Sequence, residues 1–168
     1  MRTDPALAEA LESCQSEWEP GSGSPADAGF DALLERWPDD PVAQKAVGEA
    51  YDEAGDTERA IACYRRALSG LMGSEHRRCY LLLGDALRRT GRLAEAVEVF
   101  EQGLDEFPGS RSLRTFLALA LQEQGRPDAA LGLLLEVLVD PMPSPDLEVF
   151  RPQVRERAKE LFARDRAA

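Results

Sequence analysis

The sequence predicts an all-α fold, a solenoid of antiparallel helix pairs, and three observations carry that reading. Apolar residues spaced three and four apart form helix-length segments, separated by short breaks that contain glycine. The pattern of small, aromatic and glycine residues in Arg77–Pro108 recurs before that stretch at an offset of 36 residues and after it at an offset of 34. Self-similarity at such a period marks architectures in which each hairpin buries its apolar face on the next. Finally, 168 residues at 43% hydrophobic content suffice for one core-bearing body.

Taken in order, Leu7, Ala10, Leu11, Cys14 and Trp18 give an amphipathic helix over 7–18. The breaker Glu19-Pro20-Gly21-Ser22-Gly23-Ser24-Pro25 ends it, and Asp27 is the expected cap of a second helix from Ala28 to Trp37. Projecting the later register backwards puts Gly21, Ala26, Phe30 and Pro38 on the repeat positions, so 7–39 reads as a degenerate repeat or as a helical hairpin unrelated to the repeats. The first clear unit, 40–73, carries Val47, Gly48, Tyr51, Gly55, Ala60, Tyr64 and Ala67, with Gln44 at a large-residue position and Met72 at a proline position. The unit over 77–110 follows an insertion of two residues, and the third, over 111–140, carries Leu117, Ala118, Leu121, Gly125, Ala130, Leu134 and Val137, with Pro141 one residue early.

The spacing has a physical cause. Two antiparallel helices come close only where a side chain is nearly absent, so Gly48, Gly84 and Ala118 are expected to face Ala60, Ala96 and Ala130, with the aromatic beside them. A mid-helix glycine costs about 1 kcal/mol relative to alanine, and its recurrence in register implies a packing gain that offsets the cost. Gly55, Gly91 and Gly125 fall where the first helix of each pair must end with positive φ. Pro127 suits the first turn of the next helix. That helix, 127–139, has almost no polar face, and an exposed end helix of that kind needs a cover. The tail offers one. After Asp140-Pro141-Met142-Pro143-Ser144-Pro145, a segment from about Pro152 puts Val154, Ala158, Leu161 and Phe162 on one face, and a capping helix is expected over 145–165. The rival cover is a second copy of the chain, a homodimer.

Charge and composition exclude several functions. The net charge is −11, with ten acids against two bases in residues 1–40 and five against six in 141–168. Without a basic stripe, nucleic acid is not expected as a partner. Cys14, Cys63 and Cys79 form no CxxC pair, so neither a disulfide framework nor a zinc site is predicted. No apolar run reaches membrane-spanning length and the first dozen residues carry acids, so neither a membrane nor a secretory leader is expected; the reading is cytoplasmic. Arginine outnumbers lysine 18 to 2, which reads as the codon bias of a GC-rich bacterial genome. His76, the one histidine, stands in the expected inter-repeat loop with no orienting carboxylate in view, and Gly21-Ser22-Gly23 lacks the lysine of a phosphate loop. No catalytic residue, metal site or cofactor is predicted.

Tyr80, Leu83, Gly84, Leu87, Gly91, Ala96, Phe100 and Pro108 fall on W-x2-L-G-x2-Y, G, A-x3-F and P, so the chain resembles the tetratricopeptide-repeat family over 40–140 and loosely over 7–40. The resemblance implies a right-handed superhelix and a non-catalytic scaffold that holds a protein or peptide partner in a groove lined by the first helices. In that register Lys45, Glu49, Asp52, Arg78, Leu81, Asp85, Arg88, Arg89, Thr115, Leu119 and Gln122 line the groove, and the arginine forks suit a partner's carboxylates. Family members that clamp a C-terminal carboxylate use lysines and asparagines. Here Lys45 matches one such position, whereas Glu49, Ser112 and Phe116 depart from the rest. The alternative function is a self-assembling subunit joined through the apolar C-terminal helices.

Overall fold

The computed structural model describes residues 4–18, 23–139 and 151–167, and every regular element among them is an α-helix. The helices are α1 (Pro5–Glu17), α2 (Phe30–Arg36), α3 (Pro41–Glu53), α4 (Thr57–Leu68), α5 (Gly73–Arg89), α6 (Leu93–Glu106), α7 (Arg111–Glu123), α8 (Pro127–Val139) and α9 (Arg151–Asp165). They fall into two compact units, Met1–Thr90 and Gly91–Ala168. Gly21 as a repeat position, the Asp140–Pro145 break with Pro141, and the start of the expected cap at 145 lie outside the described residues.

The first unit is built by short-range chemistry at the helix ends. Asp4 accepts from the Ala6 amide at 3.0 Å to start α1, and Asp40 accepts from Val42 and Ala43 at 2.8 and 3.1 Å to start α3, with Pro41 in the first turn. Asp56 starts α4 through the Arg59 amide. Between α3 and α4, Gly55 takes φ +86°, as its place at the end of the first helix requires. Neighbouring helices pack on one another from α1 through α5, and α3 also touches both α1 and α5.

The close approach of α3 to α4 occurs at Gly48, where it is expected. A β-carbon there would meet the Tyr64 ring at 2.7 and 2.8 Å and Cys63 at 3.2 Å. The aromatic occupies the space itself, because its buried ring needs more room than a methyl group leaves. Tyr64 also ties in α5, since its carbonyl accepts from the buried Cys79 thiol at 3.4 Å. Gln44, at the large-residue position, is buried and donates to the Pro38 carbonyl at 2.5 Å.

Two local expectations are corrected. Asp27 does not cap the second helix; residues 25–29 form turns and α2 starts after Gly29 at φ +85°, a start that leaves no side-chain cap. His76 is not in a loop. α5 runs from Gly73, four residues ahead of the position that matches the start of α3, so the inserted residues and the two before them are helical, and His76 stacks on Tyr80 with ring centroids 5.0 Å apart.

In the second unit α6 packs on α7, α7 on α8, and α8 on α9. Ser110 starts α7 through the Leu113 amide, and Gly125, φ +85°, turns the chain into α8 at Pro127. α9 lies antiparallel on α8: Arg126 pairs with Asp165 at 2.7 Å, Arg164 with Asp128 at 2.9 Å, and Phe162 reaches within 3.0 Å of where a β-carbon of Gly132 would stand. Ala158 and Leu161 are buried in this contact region, yet Leu131, Leu134 and Leu138 of α8 remain exposed.

The contact at Gly48 makes a direct prediction. Gly48→Ala gains helix propensity but forces a methyl into the Tyr64 ring, so stability should fall by about 1–3 kcal/mol in urea denaturation. Tyr64→Phe, by contrast, removes a buried hydroxyl that has no hydrogen-bond partner, and should leave stability unchanged or slightly raised.

Candidate functional site

Side chains predicted for a groove come together in the first unit on neighbouring faces of α3 and α5. Lys45, Glu49 and Asp52 follow one another along α3, while Arg78, Leu81, Asp85, Arg88 and Arg89 follow along α5. Their charges are matched among themselves. Lys45 reaches Glu49 at 3.0 Å and Glu75 at 3.1 Å, and Arg78 reaches Glu49 at 2.9 Å. Arg89 donates to Asp52 at 2.7 Å and to Asp85 at 3.2 Å, and Arg88 donates to Asp85 at 2.7 Å. Hydrogen bonding to Asp52 is the main cause that raises the Arg89 pKa.

The arginines expected to meet a partner's carboxylates are already paired with acids, Arg78 with Glu49 and Arg89 with Asp52 across the two helices and Arg88 with Asp85 of its own helix. Each such pair adds little stability by itself, on the order of 1 kcal/mol or less, but together they fix which side chains the face exposes. One acid is incompletely served. Glu49 Oε1 lies 2.9 Å from the Arg78 guanidinium without hydrogen-bond geometry, and it is buried without another partner.

Beside this ladder is a pocket of about 240 Å3 that the residue pattern did not reveal. Gln15 and Trp18 come from the end of α1, Phe30 from α2, and Ala46, Glu49, Ala50 and Glu53 from α3, with Arg78 of α5 opposite. Trp18 and Phe30 meet edge to face with centroids 5.8 Å apart, a geometry aromatic pairs prefer. Ala46 and Ala50, one helical turn apart, leave the space that larger side chains would fill. That i, i+4 pair of small residues was the signal available in the sequence, one position along from the register chosen. Two acids and one cation around apolar walls favour a long side chain that ends in a positive charge.

Thr115, Leu119 and Gln122 belong to α7 in the second unit. The Thr115 hydroxyl donates to the Arg111 carbonyl of its own helix at 2.9 Å, while Leu119 and Gln122 are exposed.

Reactive chemistry is muted. Cys14, Cys63 and Cys79 are buried, and burial pushes all three thiols above their ordinary range, Cys79 to about 12. Among the described residues no cluster of histidine, cysteine and carboxylate side chains is placed to hold a metal ion, and no helix is long and apolar enough to cross a membrane. On another face the Tyr51 hydroxyl donates to Asp31 at 2.6 Å and accepts from Arg59 at 2.7 Å. Burial first, then the Asp31 hydrogen bond and charge, push this phenol up to about 12 against the opposing pull of Arg59.

Both shifts have one sign. The folded state holds these protons more tightly than the unfolded chain, so their contribution is fully present below the ordinary values of 9.0 for Cys79 and 10.0 for Tyr51 and is lost as pH rises toward 12. Urea midpoints measured across that alkaline range should therefore fall, and the fall should be shallower in Tyr51→Phe.

A family model for the tetratrico peptide repeat matches residues 41–160. An uncharacterized protein of Aquifex aeolicus (strain VF5) is 40% identical over 87 residues, which is 49% of this chain and 11% of that protein. The chain thus spans a small part of the length of this relative.

Proposed function

The chain belongs to the tetratricopeptide-repeat family, and from that premise we propose that it is a non-catalytic interaction module which holds a peptide segment of a protein partner on the face of α1, α3 and α5. Repeats of this family generally mediate contacts between proteins. The observation that carries the finer reading is the pocket between Trp18, Phe30, Ala46 and Ala50. It is a concave, partly apolar site with a few polar groups at its edge, the usual form of a recognition pocket.

The charge balance supports a basic side chain as the occupant. Glu49 already serves Lys45 and Arg78, while Glu53 is exposed at the pocket edge. A lysine or arginine of the partner can lay its aliphatic stem along Ala46 and Ala50 and bring its charge to Glu53. Lys45, Asp52, Arg78, Asp85, Arg88 and Arg89, balanced by Glu49 and Glu75, then act as a neutral, polar rim, which secures register and solubility rather than affinity. Leu119, Thr115 and Gln122 offer the second unit's α7 as further contact surface.

Peptides selected from a random display library on the intact chain should carry lysine or arginine beside an apolar residue. Glu53→Lys should weaken them by about tenfold or more while the helical circular dichroism signal stays unchanged. Selected peptides that bind the variant as well as the parent chain would remove this reading.

A second reading is favoured by one specific observation. Leu131, Leu134 and Leu138, three and four residues apart on α8, are 48%, 41% and 47% exposed, an apolar stripe on which two copies could join. In sedimentation at micromolar concentration a self-associating chain would run as a dimer and its Leu134→Glu variant as a monomer. A parent chain that is monomeric throughout eliminates self-assembly.

A further inference from the structure

We propose that the second unit carries a site of its own, for an acidic peptide segment with a leucine- or phenylalanine-sized anchor, in a groove whose apolar and basic halves meet at Lys159. This does not rest on the reading of the first unit, and it selects the opposite charge. The apolar half is a pocket of about 340 Å3 walled by Leu117 and Leu121 of α7, Ala129 and Leu133 of α8, and Phe162 of α9. It exists because Gly132 lets the Phe162 ring settle against α8, so that α9 forms a wall beside α7 and α8. The volume suits one large apolar side chain.

The basic half is a pocket of about 260 Å3 lined, among the described residues, by Arg114, Arg155 and Lys159 with Glu136 and Val139. In a chain of net charge −11 this local reversal of sign is informative, since it attracts anions where most of the surface repels them. Lys159 lines both pockets, which places a cation where an apolar anchor gives way to carboxylates. Its pair with Glu156, 3.2 Å long, joins two side chains that are 72% and 66% exposed, so a partner's carboxylate can replace it at little cost. Arg114 donates to the Pro108 carbonyl, and that bond leaves other N–H groups of its guanidinium available. At the far rim Arg126 is engaged by Asp165, with Glu101 a second acid in the lining, and Arg166 adds a cation beside the apolar mouth. An apolar group and several carboxylates set side by side describe a peptide better than a single small anion.

The test is fluorescence anisotropy on the full chain with two labelled pentapeptides, one a leucine and a phenylalanine followed by three glutamates, the other with lysines in place of the glutamates. The glutamate peptide should bind saturably, more weakly as salt rises, and the lysine peptide should not. Lys159→Glu should weaken binding by about tenfold or more, and Lys159→Arg should hold it within about threefold, with unchanged circular dichroism in both because the side chain is exposed. Equal binding of the two peptides, no saturable binding of the glutamate peptide, or equal affinity in Lys159→Glu would overturn the proposal. Saturation by decanoate without binding of the peptide would overturn it in favour of a small amphipathic acid.

Discussion

Everything in the first unit depends on the absence of a side chain at position 48. The Tyr64 ring lies where the β-carbon of any other residue would stand, so α3 and α4 approach more closely than two ordinary helix surfaces allow. The same tyrosine accepts from Cys79 through its carbonyl, and α4 thereby holds α3 and α5 in fixed register. Only in that register do Glu49 and Asp52 meet Arg78 and Arg89. The second unit uses the same device at Gly132, where Phe162 of α9 takes the vacated space. One missing β-carbon in each unit admits one ring, and each ring organises the site beside it.

Electrostatics then acts as a filter rather than as a source of stability. Residues 1–90 hold seventeen acids against ten bases, and α3 and α5 consume most of their cations internally. What is left for a ligand on that face is therefore negative. In the second unit the charges of α7 and α9 converge in the other sense around Lys159. The two proposed sites thus differ in sign although both belong to one acidic chain. Neither property follows from the net charge, because it is the pairing of neighbours that decides which charges remain.

Much of the fold was legible because its causes are local. Helix 127–139 was read with its bounds, since Pro127 starts it and its apolar run is unbroken. Gly55, Gly91 and Gly125 carry φ of +86°, +76° and +85°, the conformation that a helix end demands. The reading failed where a local signal competed with a distant one. Asp27 looked like a helix cap, but residues 25–29 close as turns and Gly29 starts the helix instead. His76 looked like a loop residue, yet α5 begins early, at Gly73, and His76 stacks on Tyr80 one turn along it.

The sequence by itself determined the helical class, the repeat register and the family, because periodicity and small-residue spacing are properties of neighbours along the chain. Only the tertiary structure decided that Arg78 is bound to Glu49 and Arg89 to Asp52, that Ala46 and Ala50 help to line a pocket with Trp18 and Phe30, and that Lys159 joins an apolar cleft to a basic one. Those facts depend on distances between helices far apart in sequence. A charge or a cleft becomes available only through what the opposing helix brings to it, and that is set by how closely the helices pack.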